Sequence, residues 1–255
     1  MNILNLESLT VSIGGRTVCH GLDLRVKPQE VLGILGRNGV GKTTLLYTIM
    51  GFKPPVSGKV VFLDTEIQNY SAINLAKKLG VLFQETHSDL PATVLETALL
   101  GRHPHSENLL WDSPEDIRLT REILAQLGLA DLEQRQLSTL SGGEKQRLAL
   151  ALLMVQAPQL YLLDEPSNHL DIDYQIKTLV YLKEKLKREQ AAMIMASHDI
   201  NLAARFCDQV LLIMENGQYL YGETTKVLNE ETLSQAYKCK ICVVESTDKR
   251  YFFPA

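Results

Sequence analysis

No stretch of this sequence is apolar for long enough to cross a bilayer. The longest apolar run, at 148–155, is ended by Gln156 and Pro158, well short of the roughly 20 residues a spanning helix needs. Residues 1–10 lack a basic start and carry Glu7 inside their apolar stretch, so they are not expected to act as a cleaved leader, and a cytoplasmic chain is the expectation. Basic charge is not in excess either. Lys and Arg total 26 against 30 Asp and Glu, for a net charge of −4. The cations are scattered rather than striped, so the electrostatic footprint of a nucleic-acid binder is missing and no nucleic-acid partner is expected. Cysteine is scarce. The four, at positions 19, 207, 239 and 242, include one Cys-x-x-Cys. A structural zinc needs four ligands and the other two cysteines lie far off, so Cys242 reads as the start of a buried strand over 241–245. There is no internal repeat.

What remains is an ordinary globular composition, 45% hydrophobic and 22% charged, over 255 residues, enough for one domain carrying an insertion. Residues 1–27 alternate apolar and polar (Leu9, Val11, Ile13, then Leu22, Leu24, Val26) around Gly14-Gly15, which predicts a β-hairpin. Short continuous apolar runs follow at 31–35, 81–83, 160–163, 193–196 and 210–214, the pattern of parallel strands covered on both faces. Between Gln84 and Leu140 strand signals stop and helix signals take over, as in Leu119, Ile123 and Leu127 after Ser113-Pro114. A helix over 172–189 is expected to bury Ile172, Ile176, Leu179 and Leu186 and to carry lysines on its other face. The residues after Thr232 read as a short closing tail.

Gly36-Arg37-Asn38-Gly39-Val40-Gly41-Lys42-Thr43 fits G-x-x-x-x-G-K-[ST]. It directly follows one predicted strand and precedes a helical pattern at 45–50. Glycines there let backbone amides converge on phosphate oxygens, and the helix N-terminus adds a favourable dipole. Lys42 is placed to reach the β and γ phosphates, Thr43 to ligate Mg²⁺, and Thr44 completes the binding segment. Such a site also needs an apolar strand ending in acid, and Leu160-Tyr161-Leu162-Leu163-Asp164-Glu165 supplies it. Asp164 can hold the magnesium shell, and Glu165 can polarise an attacking water.

Leu140-Ser141-Gly142-Gly143-Glu144 reads locally as a helix start, with Ser141 and Glu144 as a capping box. Two glycines in a first helical turn nevertheless give up about 2 kcal/mol of helix propensity. A helix N-terminus stripped of side chains is an anion site, so a second subunit's ATP is the expected visitor.

With these segments in hand, nearly the whole chain resembles the ATP-binding cassette (ABC) family. The resemblance implies a P-loop NTPase core of α/β class with a mainly parallel sheet, an N-terminal antiparallel β subdomain and an inserted α-helical subdomain. A single domain spanning 1–255 is implied, with 1–84 and 157–255 as the ATP-binding core and 85–156 as the helical part. It further implies that Ser141, Gly142, Gly143 and Glu144 form the signature contacting ATP in trans, although Glu144 stands where the family more often has Gln. Gln84 is similar to the Q-loop glutamine that senses Mg²⁺ and the attacking water, Ser167 and Asp171 bound a D-loop, and His198 resembles the switch histidine. Ile13 stands where family members commonly place an adenine-stacking aromatic, which directs attention to a neighbour such as Arg16.

Gly101-Arg102-His103-Pro104-His105 and the segment 197–204 are similar to importer ATPases for iron chelates (siderophores), haem and cobalamin. The segment 36–51 also resembles branched-chain amino-acid importer subunits. A soluble ABC ATPase acting on ribosomes or nucleic acid is the alternative from another class, but such proteins usually carry two cassettes, and this chain has one phosphate loop. The resemblance thus implies an ATPase that dimerises with a second copy of itself. It would sit on the cytoplasmic face of a membrane against permease subunits, and be served indirectly by an extracytoplasmic solute-binding protein.

Overall fold

The computed structural model describes residues 1–83, 91–106, 112–166, 168, 171–246 and 249–255. Its elements begin with β1 (Leu4–Ile13), β2 (Arg16–Val26), β3 (Val31–Leu35), α1 (Lys42–Ile49), β4 (Ser57–Phe62) and β5 (Thr65–Glu66). There follow α2 (Ala72–Ala76), β6 (Leu79–Leu82), α3 (Val94–Leu99), α4 (Pro114–Gln126), α5 (Gly142–Gln156) and β7 (Leu160–Asp164). The remainder is α6 (Ile172–Glu189), β8 (Ala192–Ala196), α7 (Ile200–Phe206), β9 (Gln209–Ile213), β10 (Tyr219–Glu223), α8 (Thr224–Val227), α9 (Glu230–Tyr237), β11 (Ile241–Ser246) and β12 (Lys249–Pro254). Two compact units result, residues 1–70 with 183–255 and residues 71–182, the division falling inside α6.

In the first unit the expected hairpin is present. β1 and β2 pair from Leu4↔Val26 to Ile13↔Arg16. Gly14 and Gly15 both take positive φ, 54° and 78°, the backbone a two-residue hairpin turn demands. β4 pairs antiparallel with β1, and β5 with β4. A second sheet places β3 parallel to both β8 and β9, with β10 antiparallel to β9. All five residues of β3 and of β8 are buried, which is why these strands read as unbroken apolar runs. Cys207 packs so closely on β3 that a Cβ at Gly33 would lie 2.8 Å from its Sγ. Burial pushes the Cys207 thiol up to about 12 and that of Cys19 up to about 11, so both are inert core residues.

The C-terminal stretch expected as a closing tail is a folded part of this unit. α9 runs on to Tyr237, and β11 pairs antiparallel with β12. Asn201 of α7 acts like a strand edge toward β12, its Oδ1 accepting from the Phe252 N–H at 2.8 Å and its Nδ2 donating to the Phe252 carbonyl at 3.0 Å. Ile241 and Phe252 are buried, whereas Cys242 is only half-buried. Tyr251-Phe252-Phe253 has no alternation to read, so the hairpin's register had no signature.

In the second unit β6 and β7 are parallel, with Leu82 opposite Leu163, and α2, α3, α4 and α5 supply the helices. The Gly101–His105 segment proves to be a cap on α5. A Cβ at Gly101 would lie 2.4 Å from the Leu152 carbonyl oxygen, so only glycine lets this backbone approach. Arg102 Nη1 then donates to the Val155 carbonyl at 3.2 Å while its Nε holds Asp116 at 2.6 Å. His105 Nε2 meets the Gln156 carbonyl at 2.9 Å, and burial keeps this imidazole below its usual pKa. The last carbonyls of a helix otherwise lack partners, and a guanidinium there also complements the dipole. Along α6 the expected face is only partly buried. Leu179 and Leu186 are buried as anticipated, but Ile172 is 79% exposed. Lys185, expected on the solvent side, is buried and paired with Glu189 at 2.6 Å. Full burial starts only at Thr178, because the helix entry is exposed or half-buried.

Arg102→Ala removes a charged donor from α5 and from Asp116, and is expected to destabilise the chain by about 1.5–3 kcal/mol. A lower urea midpoint at unchanged m would show this, and an unmoved midpoint would mean that the segment does not cap the helix.

Candidate nucleotide site

In the first unit the chain leaves β3 at Leu35 and turns through 36–41 into α1. Three glycines of that turn have positive φ, 147° at Gly36, 77° at Gly39 and 111° at Gly41. Two have no room for a side chain. A Cβ at Gly36 would lie 2.6 Å from the Ile213 carbonyl oxygen, and one at Gly41 would lie 2.5 Å from Val18 Cγ2. The loop is therefore pressed between β9 and β2 at these two glycines, where no side chain could be accommodated. α1 begins at Gly41 without a side-chain cap. Lys42 is buried and arches back over the loop, its Nζ donating to the Gly36 carbonyl at 3.0 Å. Val18 is a residue of this site that the motif could not reveal, since it lies on β2, well upstream of Gly36.

His198 lies at the same sheet edge. Ile34 of β3 is in register with Ala196 of β8, and the Ser197 N–H donates to the Ile34 carbonyl at 3.1 Å. β8 thus ends beside the start of the phosphate loop, with His198 exposed just beyond it. Ser197 Oγ accepts from the Asp199 N–H at 3.0 Å, and Asp199 caps α7 by accepting from Asn201 and Leu202. The histidine therefore stands on a backbone fixed on both sides.

An open cleft of ≈ 710 Å³ adjoins the loop, lined by Ile13, Arg16, Val18, Asn38, Met214 and Glu215 among others. Ile13 is 47% exposed into solvent. Glu215 pairs with Arg37 at 3.2 Å and Lys238 at 2.5 Å. Its bond from Lys238 first, and the nearby arginines after it, hold its carboxyl below the usual range. The rim at 214–216 gave no signal in the sequence, because it reaches the cleft only through the fold.

In the second unit all of β7 is buried and delivers Asp164 and Glu165 at its carboxyl end, 3% and 5% exposed. Glu165 has φ 51°, a conformation that is uncommon for a side-chain-bearing residue and that clusters at functional sites. Ser141 caps α5 as expected. Its Oγ accepts from the Glu144 N–H at 3.3 Å, and Glu144 Oε2 accepts from the Ser141 N–H at 2.6 Å. That backbone bond chiefly holds the Glu144 carboxyl below its ordinary pKa, with Arg135 assisting from 3.6 Å. Ser141 and Gly142 are exposed and Gly143 half-buried, so this helix start is open to an approaching group. Asp171 is exposed at the entrance to α6. Gln84 and Ser167 lie outside the described residues. Among the described residues there is no cluster of three or more His, Cys, Asp and Glu that could hold a metal by itself.

A family model described as "ABC transporter" matches residues 19–168. The chain is 35% identical over 246 residues to a hemin import ATP-binding protein of Pseudomonas aeruginosa, covering 94% of each chain. It is 30% identical over 251 residues to a petrobactin import ATP-binding protein of Bacillus anthracis, covering 98% of this chain and 91% of that one. In fold it is similar to a metal-chelate type ABC transporter solved in an inward-facing conformation, with a TM-score of 0.85 and 24% identity over 100% of this chain and 98% of that one.

Gly36→Ala forces a methyl onto the Ile213 carbonyl in a backbone region that L-residues avoid. Strain of this kind, about 1–3 kcal/mol, is expected to weaken ATP binding roughly tenfold or more. Titration with a fluorescent ATP analogue would measure it, and unchanged affinity would show that the loop tolerates side chains.

Proposed function

Starting from the fact that this chain belongs to the ABC transporter family of ATP-binding proteins, we propose that it powers import of a metal chelate of the siderophore, haem or cobalamin kind, working as a homodimer. The observation that carries the reading is the loop at 36–41, which admits only glycine at Gly36 and Gly41, with Lys42 arched over it and His198 on the neighbouring strand end. Support for the cargo class comes from the relatives named for hemin and petrobactin import.

Each ATP would lie with its phosphates on the amides of Gly36, Arg37, Asn38, Gly39, Val40, Gly41, Lys42, Thr43 and Thr44. Lys42 would exchange the Gly36 carbonyl for the β and γ phosphates. Thr43, Asp164 and Gln84 would hold Mg²⁺, which supplies charge neutralisation on the phosphates when bound. Glu165 would orient the attacking water, and His198 would stabilise charge on the transferring phosphoryl group. Ser141, Gly142, Gly143 and Glu144 of the second copy, with Ser167 and Asp171 of its D-loop, would complete the pocket. Adenine would rest against Ile13 and Arg16, a guanidinium standing in for an aromatic plane.

Membrane permease subunits are the partner that closure would move, through the surface near Gln84. The chain would lie on the cytoplasmic face, and an extracytoplasmic binding protein would present the chelate. Among the described residues no helix is long and apolar enough to cross a membrane, so attachment would come through the permease.

Glu165→Gln keeps the size of the side chain but removes the base, and is expected to stop turnover while sparing ATP binding. Single-turnover phosphate release checks this, and wild-type release would remove Glu165 from its role. Ser141→Arg fills the exposed helix start and is expected to block ATP-driven dimerisation while monomers still bind nucleotide. Sedimentation of the Glu165→Gln chain with and without Ser141→Arg decides it, since an undiminished dimer would reduce the signature to a helix cap.

A further inference from the structure

Two consecutive residues of α5 grip opposite ends of the segment that follows β7. Gln146 is buried, and its Nε2 donates to the Pro166 carbonyl at 3.3 Å, where the segment begins. The Arg147 guanidinium lies 4.2 Å from the centroid of the Tyr174 ring, in the first turn of α6, where the segment ends. Lys177 lies 6.0 Å from the same ring, so the tyrosine takes two cations. Arg147 Nε is buried with no hydrogen-bond partner among the described residues. The ring packs against the guanidinium face and so contributes to holding this side chain in place. The end of α4 joins the same contact. Gly128 has φ 65°, and a Cβ there would come within 3.2 Å of Tyr174 Oη and 3.6 Å of Arg147 Nη1.

We propose that Gln146 and Arg147 are positioning residues that fasten Pro166, just past the end of β7, and Tyr174, in the first turn of α6, to the signature helix. Asp171 and Ser141–Glu144 then meet the second subunit's nucleotide as one rigid piece. The inference rests on the dimer reading above, since only a partner's ATP makes the relative placement of these two groups matter. Six residues, fewer than two helical turns, separate Arg147 from Ser141, so a shift at the tyrosine is passed along α5 to the helix start.

The test uses the full chain in the Glu165→Gln background. Tyr174→Leu removes the aromatic face but keeps bulk. It is expected to weaken ATP-driven dimerisation about tenfold, with monomer affinity for a fluorescent ATP analogue unchanged, because the phosphate loop is untouched. Tyr174→Phe retains the ring and is expected to restore dimerisation to within about twofold. Arg147→Met attacks the contact from the other side and stands in should Tyr174→Leu not fold. Combining the two substitutions should add little beyond either alone. A Tyr174→Leu or Arg147→Met chain that dimerises as well as its parent overturns the inference while leaving the dimer reading intact. A parent that fails to dimerise with ATP overturns both.

Discussion

A triphosphate carries more negative charge than side chains alone can surround without crowding, so the site depends on bringing backbone N–H groups close. That is easiest where Cβ atoms are missing at the turning points of the loop. At Gly36 and Gly41 the constraint is doubled, since each combines positive φ with neighbours, the Ile213 carbonyl and Val18, that already fill the side-chain position. The loop is therefore held from outside by strands of its own unit, and it does not have to order itself around the ligand. Lys42 spans the loop through the Gly36 carbonyl, so its cation is already near the place where phosphate oxygens bind in this family.

The second unit is organised around α5. Its N-terminus, the proposed signature, is an open helix start whose own caps, Ser141 and Glu144, satisfy the backbone without covering it. Its C-terminus is closed by Arg102 and His105 from a distant loop. Its second turn, through Gln146 and Arg147, reaches the segment after β7. A rod fixed at three points transmits displacement rather than absorbing it, which suits an ATPase whose chemistry has to be coupled to motion elsewhere.

The pattern of polar groups is consistent with that work. The two core cysteines are buried and unreactive, and Cys239 and Cys242 sit at or near the surface without further metal ligands beside them among the described residues. The acidic groups proposed to act, Asp164 and Glu165, are buried at a strand end. Acidic groups that only tie structure together, such as Glu215 between Arg37 and Lys238, lie exposed.

Much of this was legible from residue order alone. The hairpin around Gly14-Gly15, the buried strands at 31–35 and 193–196, the phosphate loop and the capping box at Ser141 are all local, and each is written in spacing that backbone geometry enforces. Where the reading missed, the deciding contacts were remote in sequence. Ile172 fits the apolar stripe of α6 but stands 79% exposed, while Lys185 is buried and paired with Glu189 four residues on, so burial along α6 was set by what packs on it and not by its periodicity. The hairpin of β11 and β12 is fixed by Asn201, some fifty residues away. Gly101 and Arg102 are explained by carbonyls of α5, and Val18 by Gly41. Sequence determined which backbone segments can bind phosphate, cap a helix or run as a strand, because those properties follow from φ, ψ and periodicity. Only the tertiary structure decided which side chains close around those segments, because that depends on which distant atoms occupy the space next to them.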